Sequence, residues 1–288
     1  MAFNGVFPAA KLTPAPFGLF SVADVKKHTT RDEHWIQRFD QESEACAFDA
    51  SIIDVCGGEE PISVFDTNDG MRSFGVQPFG IVAKDSCLSV GWNVVDRKAR
   101  VLRQLDLITP KAVETELWNG LYLQATNETA GIPTTSGMYL SSTDTEVVTT
   151  GAQKVKIGLA VLEQALASCS SGFQGTIHVS PLIASMIGME MQRDGDQLLT
   201  NNGNLVAVGT GYDGRGPGET TAPSEPFVHW MYATGPVFVH LGSEELITVT
   251  EGQAVDPRTN EMVHVAERPA SVHWDGCCHF GVQVDVRL

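Results

Sequence analysis

The chain has 288 residues, 42% of them hydrophobic, enough to bury a full core as one large domain or two modest ones. Lys and Arg number 19 against 35 Asp and Glu, and the net charge of -16 disfavours sequence-independent binding of nucleic acid by the whole surface. No stretch approaches the roughly 20 apolar residues of a membrane span, and the start, Met1-Ala-Phe-Asn-Gly5, lacks the basic region and apolar core of a secretory signal.

A cytoplasmic product is therefore the default expectation. The cysteines show no C-x-x-C spacing, which leaves zinc-ribbon and thioredoxin-like readings without support, and reduced, mostly buried thiols are expected. Lysine is absent after Lys156 and between Lys27 and Lys84.

Residues 1–30 carry little periodicity and read as an extended arm. Phe3, Phe7, Phe17 and Phe20 need burial that an arm cannot supply, so another part of the fold or another chain is expected to cover them. In 31–77, Ser51-Ile-Ile-Asp-Val-Cys56 and Ile62-Ser-Val-Phe65 flank Gly57-Gly58 and predict a hairpin, with a second turn at Thr67-Asn-Asp-Gly70. Such a ribbon is marginal alone and should lie against something. Phe79–Trp92 predicts a strand in which Phe79, Ile81 and Ala83 share a face.

From Asn93 to Asn119 the apolar spacing is helical, interrupted at Thr109-Pro110 by either a new cap or a kink, and stopped by Gly120. Residues 124–150 suit a long loop or paired edge strands. Gln153–Met189 then reads as helix, short strand, helix. Val155, Leu159, Leu162, Leu166 and Cys169 fall on one helical face, widened by Ile157 and Val161. Thr176-Ile-His-Val179 predicts a buried strand, Ser180-Pro181 a capped start, and Leu182, Ile183, Met186 and Ile187 the buried face of the second helix.

Gln197–Val208 predicts a strand ending in Leu205-Val-Ala-Val208, followed by a Gly/Pro-rich loop over 209–226. Phe227–Tyr232 and Pro236–Leu241 predict a hairpin through Ala233-Thr-Gly-Pro236. Glu245–Thr250 and Met262–Ala266 add strands, and Ala270–Val286 closes the chain.

Three patterns invite chemistry. Gly209-Thr-Gly211-Tyr-Asp-Gly214 matches G-x-G-x-x-G after an apolar strand, but Arg215-Gly-Pro-Gly218 allows no helix whose N-terminus would hold a pyrophosphate, so a surface loop is expected. His273-Trp-Asp-Gly-Cys277-Cys278-His279 has zinc-ligand residue types. Read as one strand it puts Val272, Trp274, Cys278, Phe280, Val282 and Val284 on one side and His273, Asp275, Cys277, His279 and Gln283 on the other, with no fourth ligand for a closed site. No G-x-S-x-G elbow occurs, and His178 and His229 lie in apolar strands, where satisfied core histidines are the rule.

The order of elements resembles the major capsid proteins of tailed bacteriophages, the Hong Kong 97-type fold shared with encapsulins. The carrying motifs are Ala112-Val-Glu-Thr-Glu-Leu-Trp-Asn-Gly120, Gly158-Leu-Ala-Val-Leu-Glu-Gln-Ala-Leu166, Thr176-Ile-His-Val-Ser-Pro181, and Leu198-Leu-Thr200 with Gly209-Thr-Gly-Tyr212. Tyr232-Ala-Thr-Gly-Pro-Val237 and Val265-Ala-Glu-Arg268 with Trp274-Asp-Gly-Cys277 look like capsid proteins of phages of actinobacteria. The similarity runs over most of 78–288.

The resemblance implies an α+β fold with an N-arm (1–30), an extended E-loop (31–77), a peripheral domain with a long spine helix (78–147 and 233–267) and an axial domain (148–232 and 268–288). It implies hexamers and pentamers in an icosahedral head around double-stranded DNA, with a portal, a separate scaffolding protein and no membrane. The packaged DNA would be contacted non-specifically. The subunit would be made in the host bacterial cytoplasm, end in the virion, and have no catalytic, cofactor-binding or metal residue. Its front third would find apolar shelter on sister copies. The lysine of an isopeptide weld has no candidate on the E-loop, which implies non-covalent assembly. An encapsulin-like shell is the nearest alternative, and an enzyme with a nucleotide site at Gly209–Gly214 or a zinc site at His273–His279 the alternative of another class.

Overall fold

The computed structural model describes residues 13, 15–29, 39–43, 72–76, 78–88, 94–121, 138–169, 173–247, 255–256, 261–275 and 278–287. The expected hairpin at Ser51–Phe65, the turn at Thr67–Gly70, and Phe3 and Phe7 lie outside them. No helix among the described residues is long and apolar enough to cross a membrane.

Two sheets, each with its own apolar cluster, divide the chain. The first is built on β15 (Glu261–Trp274). One flank of β15 pairs antiparallel with β4 (Phe79–Leu88), from Phe79 opposite Ala270 to Leu88 opposite Glu261. The other flank carries β12 (Val237–Leu241), β13 (Glu245–Ile247) and β14 (Val255–Asp256), and β1 (Asp24–Lys27) adds in parallel to β12. Phe79, Ile81 and Ala83 do share a buried face, as their alternation predicts.

Helix α2 (Val94–Asn119) packs on this sheet through Val101, Leu105, Val113, Leu117 and Trp118. It is a single helix that runs through Pro110. Proline removes the N–H that would bond the Asp106 carbonyl, and Arg268 of β15 braces that turn from outside. Its guanidinium donates to Thr109 Oγ1 at 3.2 Å and Asp106 Oδ1 at 2.8 Å, and pairs with Glu244. Gly120 ends the helix with φ of 56°, a left-handed value open to glycine, its N–H donating to the Glu116 carbonyl at 2.7 Å.

The second sheet has the order β5 or β6, β16, β11, β7, β10, β9, β8, with β5 (Glu146–Val147) and β6 (Gln153–Lys154) both parallel to β16 (His279–Asp285). Its other strands are β7 (Thr176–Val179), β8 (Met191–Asp194), β9 (Gln197–Thr200), β10 (Leu205–Val208) and β11 (Val228–Thr234). Helix α3 (Val155–Cys169) buries Val155, Gly158, Leu159, Leu162 and Leu166 against it, the stripe read from the sequence. α4 (Pro181–Ile187) follows β7 with proline at its first turn.

Several expectations are corrected. Ile157, Leu182 and Met186 are exposed at 47%, 37% and 50%, because each helix packs on one side only. Gln197–Val208 is two antiparallel strands about a turn. The predicted hairpin over 227–241 does not form: β11 and β12 belong to different sheets, since Gly235-Pro236 carries the chain across instead of folding it back. Likewise Ala270–Val286 is no single strand, because Val272 and Trp274 enter the first cluster while Cys278, Phe280, Val282 and Val284 enter the second.

The front segment is partly sheltered by its own chain, against the expectation. Leu19 and Val22 of α1 (Leu19–Val22), and Phe79, belong to the first cluster, with Phe20 and Val25 packed on it. The remaining early elements, β2 (Phe39–Ser43) and β3 (Arg72–Val76), form an antiparallel ribbon that pairs with no other strand among the described residues.

Reduced thiols are also not the outcome at one pair. Cys169 ends α3 beside the start of β16, and it forms a disulfide with Cys278, 109 residues away in sequence. Closing so long a loop restricts the unfolded chain, so Cys169→Ala/Cys278→Ala should lose about 2–4 kcal/mol in non-reducing urea denaturation, with reductant lowering the parent to the same level.

Candidate functional site

Where the two sheets meet, the last turns of α2 face the loop after β10 and the strand β11. Glu114 lies on the apolar stripe of α2 and is 2% exposed. Its carboxylate accepts from Leu19 N at 3.1 Å, Thr210 Oγ1 at 3.1 Å and Gly211 N at 3.0 Å, so one side chain joins arm, loop and helix. Gly211 crosses the helix in contact with its backbone: a Cβ there would stand 2.6 Å from the Lys111 carbonyl oxygen and 2.7 Å from Thr115 N. Only glycine permits that approach.

Aromatic rings continue the joint. Trp118 stacks obliquely on Tyr212, with centroids 4.6 Å apart, and meets Tyr232 edge-on at 4.8 Å. Trp118 Nε1 and Tyr232 Oη both donate to the Arg215 carbonyl, at 3.2 and 2.9 Å. Burial raises both tyrosine hydroxyls well above their ordinary pKa. His178 of β7 bonds Tyr212 Oη at 3.1 Å through Nδ1 and Thr234 Oγ1 at 2.9 Å through Nε2. Burial first, then His279, lowers its pKa to about 3, so it stays neutral as a satisfied core histidine.

The three sequence patterns resolve differently. Gly209–Gly214 leads into turns and extended chain with no helix after it, and of its glycines Gly211 serves the contact with α2 while Gly209 and Gly214 make room for the Tyr212 and His229 rings. His273 and His279 stand in different sheets, Cys278 is spent in the disulfide and Cys277 lies outside the described residues. His279 Nε2 is engaged by Thr145 Oγ1 at 3.1 Å and the Leu140 carbonyl at 3.2 Å. Among the described residues, no three His, Cys, Asp or Glu converge on a metal position. Ser180 Oγ lies 3.4 Å from His229 Nδ1, but His229 Nε2 faces the Pro226 carbonyl at 3.3 Å instead of a carboxylate. That pair lacks the group that would orient a general base.

The sequence reading missed Glu114. Its signal was an acid at the third and fourth positions before Leu117 and Trp118, on the buried stripe. Outside the joint, the first sheet leaves apolar surface open. A groove of about 550 Å³ between β4 and α2 is lined by Phe79, Ile81, Val82, Leu107, Ile108 and Ala112, and Val82 is 54% exposed. Beyond its ladder with β15, β4 pairs with no other strand among the described residues.

No protein-family model matches the sequence, and no curated protein does. Solved structures do match. The capsid of an empty GTA particle superposes with TM-score 0.56 at 8% identity, covering 99% of this chain and 95% of that one. The fold is of the Hong Kong 97 type. An encapsulin complex of Synechococcus elongatus matches with TM-score 0.54 at 12% identity over 99% and 94% of the two chains. The acid-stable capsid of Helicobacter pylori bacteriophage KHP30 matches with TM-score 0.52 at 10% identity over 99% and 98%. The α+β expectation and its Hong Kong 97-type form are thus met.

Replacing Glu114 by Ala leaves two buried backbone N–H groups without an acceptor, and the expected loss is about 3 kcal/mol in urea denaturation. Thr210→Val, which removes a single donor, should cost about 1 kcal/mol.

Proposed function

We propose that this chain is the major capsid protein of a tailed bacteriophage, a non-enzymatic subunit that assembles into the hexamers and pentamers of an icosahedral head around double-stranded DNA. The observation that carries the reading is that the chain matches shell subunits over nearly its whole length and theirs. Further support comes from the two-stranded ribbon, the flank of β4 that is unpaired among the described residues and the open apolar groove beside it, surfaces of the kind that neighbouring copies cover.

In this reading, the six-stranded sheet with α2 is the peripheral domain and α2 its spine helix. The eight-stranded sheet is the axial domain, β2 and β3 are the stem of the E-loop, and the residues before α1 belong to the N-arm. Strand membership supports placing the crossings at Gly235-Pro236 and after Asp275, later than the expected limit at 267/268, since Arg268–Trp274 pair within the first sheet. A portal, a separate scaffolding protein and non-specific contact with packaged DNA complete the partners. The protein is made in the host bacterial cytoplasm and ends in the virion.

Expression of the chain alone or with its scaffold, followed by light scattering and negative-stain microscopy, tests the proposal. Closed particles of megadalton mass are expected, and a small discrete oligomer would refute it. Particles that enclose protein cargo and never protect DNA from nuclease would favour an encapsulin-like shell. Because no lysine lies between Lys27 and Lys84, boiled particles should run as a single monomer band, without a covalent ladder.

A further inference from the structure

The strand β1 is short and, among the described residues, lies at an edge of the first sheet. It is four residues long and has β12 as its partner. Val25 packs on the core, while Asp24 and Lys26 point to the other side of the sheet, the side away from α2.

On that side stands a column of rings contributed by β12, β15 and the residue that follows β1. His28, just past β1, lies within hydrogen-bond distance of His240 in β12, Nε2 to Nδ1 2.7 Å, with ring centroids 5.0 Å apart and planes 14° apart. His240 stacks on His273 of β15 at 5.4 Å and 22°. Phe238 stacks on His273 from β12 at 5.3 Å, and Lys26 Nζ sits 5.3 Å from the Phe238 centroid. The register explains the column: Lys26 is opposite His240 and Phe238 opposite His273, so alternation brings all of them to one face.

We propose that His28, His240 and His273 form an acid-operated latch, which holds β1 on the sheet at neutral pH and frees it when His240 and His273 take up protons. The bond between His28 and His240 needs one N–H and one lone pair, and two imidazolium rings have no lone pair to offer. Parallel stacking at these separations also sets like charges face to face in a partly dry site.

Among the described residues, the charged and titratable groups acting on the column are Asp24 and Lys26 from β1, His28 just past it, His240 from β12 and His273 from β15. Asp24 is 3.9 Å from Lys26 Nζ and offsets part of that charge. Burial, then His28 and Lys26, lowers His240 to about 4; burial, then His240 and Lys26, lowers His273 to about 3. Both values lie below 6.5, so the docked state binds fewer protons than the open one. The latch is complete above pH 6.5 and weakens as pH falls, by about tenfold in the docking equilibrium per pH unit for each histidine uncovered.

Upstream, Leu19 N remains bound to Glu114, so release is confined to the segment between α1 and the ribbon. Freeing β1 loosens one of the two roots of the β2–β3 ribbon, the other being β4. In an assembled shell this would let the ribbon change its angle against a neighbour. That consequence rests on the capsid reading, whereas the latch does not.

Hydrogen exchange of the purified full chain, read by mass spectrometry at about pH 7 and about pH 5.5 and corrected for the intrinsic rate, tests the latch directly. Peptides covering 24–28 should exchange about tenfold faster, or more, at the lower pH, while peptides covering β7 keep their protection. In His28→Gln/His240→Gln/His273→Gln the acid-dependent rise over 24–28 should vanish. Three results would overturn the proposal: no rise over 24–28, an equal rise in β7, or a rise that survives in the triple variant. Particle formation at neutral pH is scored separately by negative stain, so failure of the shell reading and failure of the latch are told apart.

Discussion

A single buried carboxylate sets the terms for the way this chain packs. Glu114 cannot sit in the apolar stripe of a helix unless its oxygens are satisfied, and the donors come from two distant segments, the arm at Leu19 and the loop at Thr210 and Gly211. Ionic hydrogen bonds of this kind are directional, so they fix register where apolar contact alone would allow sliding. With the arm and the loop tied to the same turn of α2, Trp118 one turn later meets Tyr212 and Tyr232, and the two clusters are joined through rings and the Arg215 carbonyl.

That joint ties together two sheets that share no strand among the described residues. Each sheet has a separate apolar cluster, and the chain crosses between them at the glycine–proline pair 235–236 and again after Asp275. The tie at the centre contrasts with light attachment at the margins. Among the described residues, the ribbon of β2 and β3 pairs only with itself, β1 is a four-residue edge, and β4 keeps an open flank beside an apolar groove.

The histidines divide along the same line. His178 and His279 are engaged by neighbours within the joint and serve as neutral hydrogen-bonding groups. His28, His240 and His273 lie against each other at the margin, where stacking couples strands that few backbone bonds hold.

How much of this could be read in advance depended on the range of the interaction. The stripe of α3, the buried strand Thr176–Val179, the proline start of α4 and the shared face of Phe79, Ile81 and Ala83 were legible, because residues a few positions apart decide them. The order of these elements also carried the fold, since matching pieces in a matching sequence constrain the topology even where no motif is chemically specific. The tertiary structure alone decided that 228–241 and 270–286 each cross between sheets, that Cys169 and Cys278 are joined, and that Glu114 is buried with partners nearly a hundred residues away. Strand periodicity is the same whichever sheet a segment enters, and a sulfur or a carboxylate finds its partner only after the backbone has brought distant segments together.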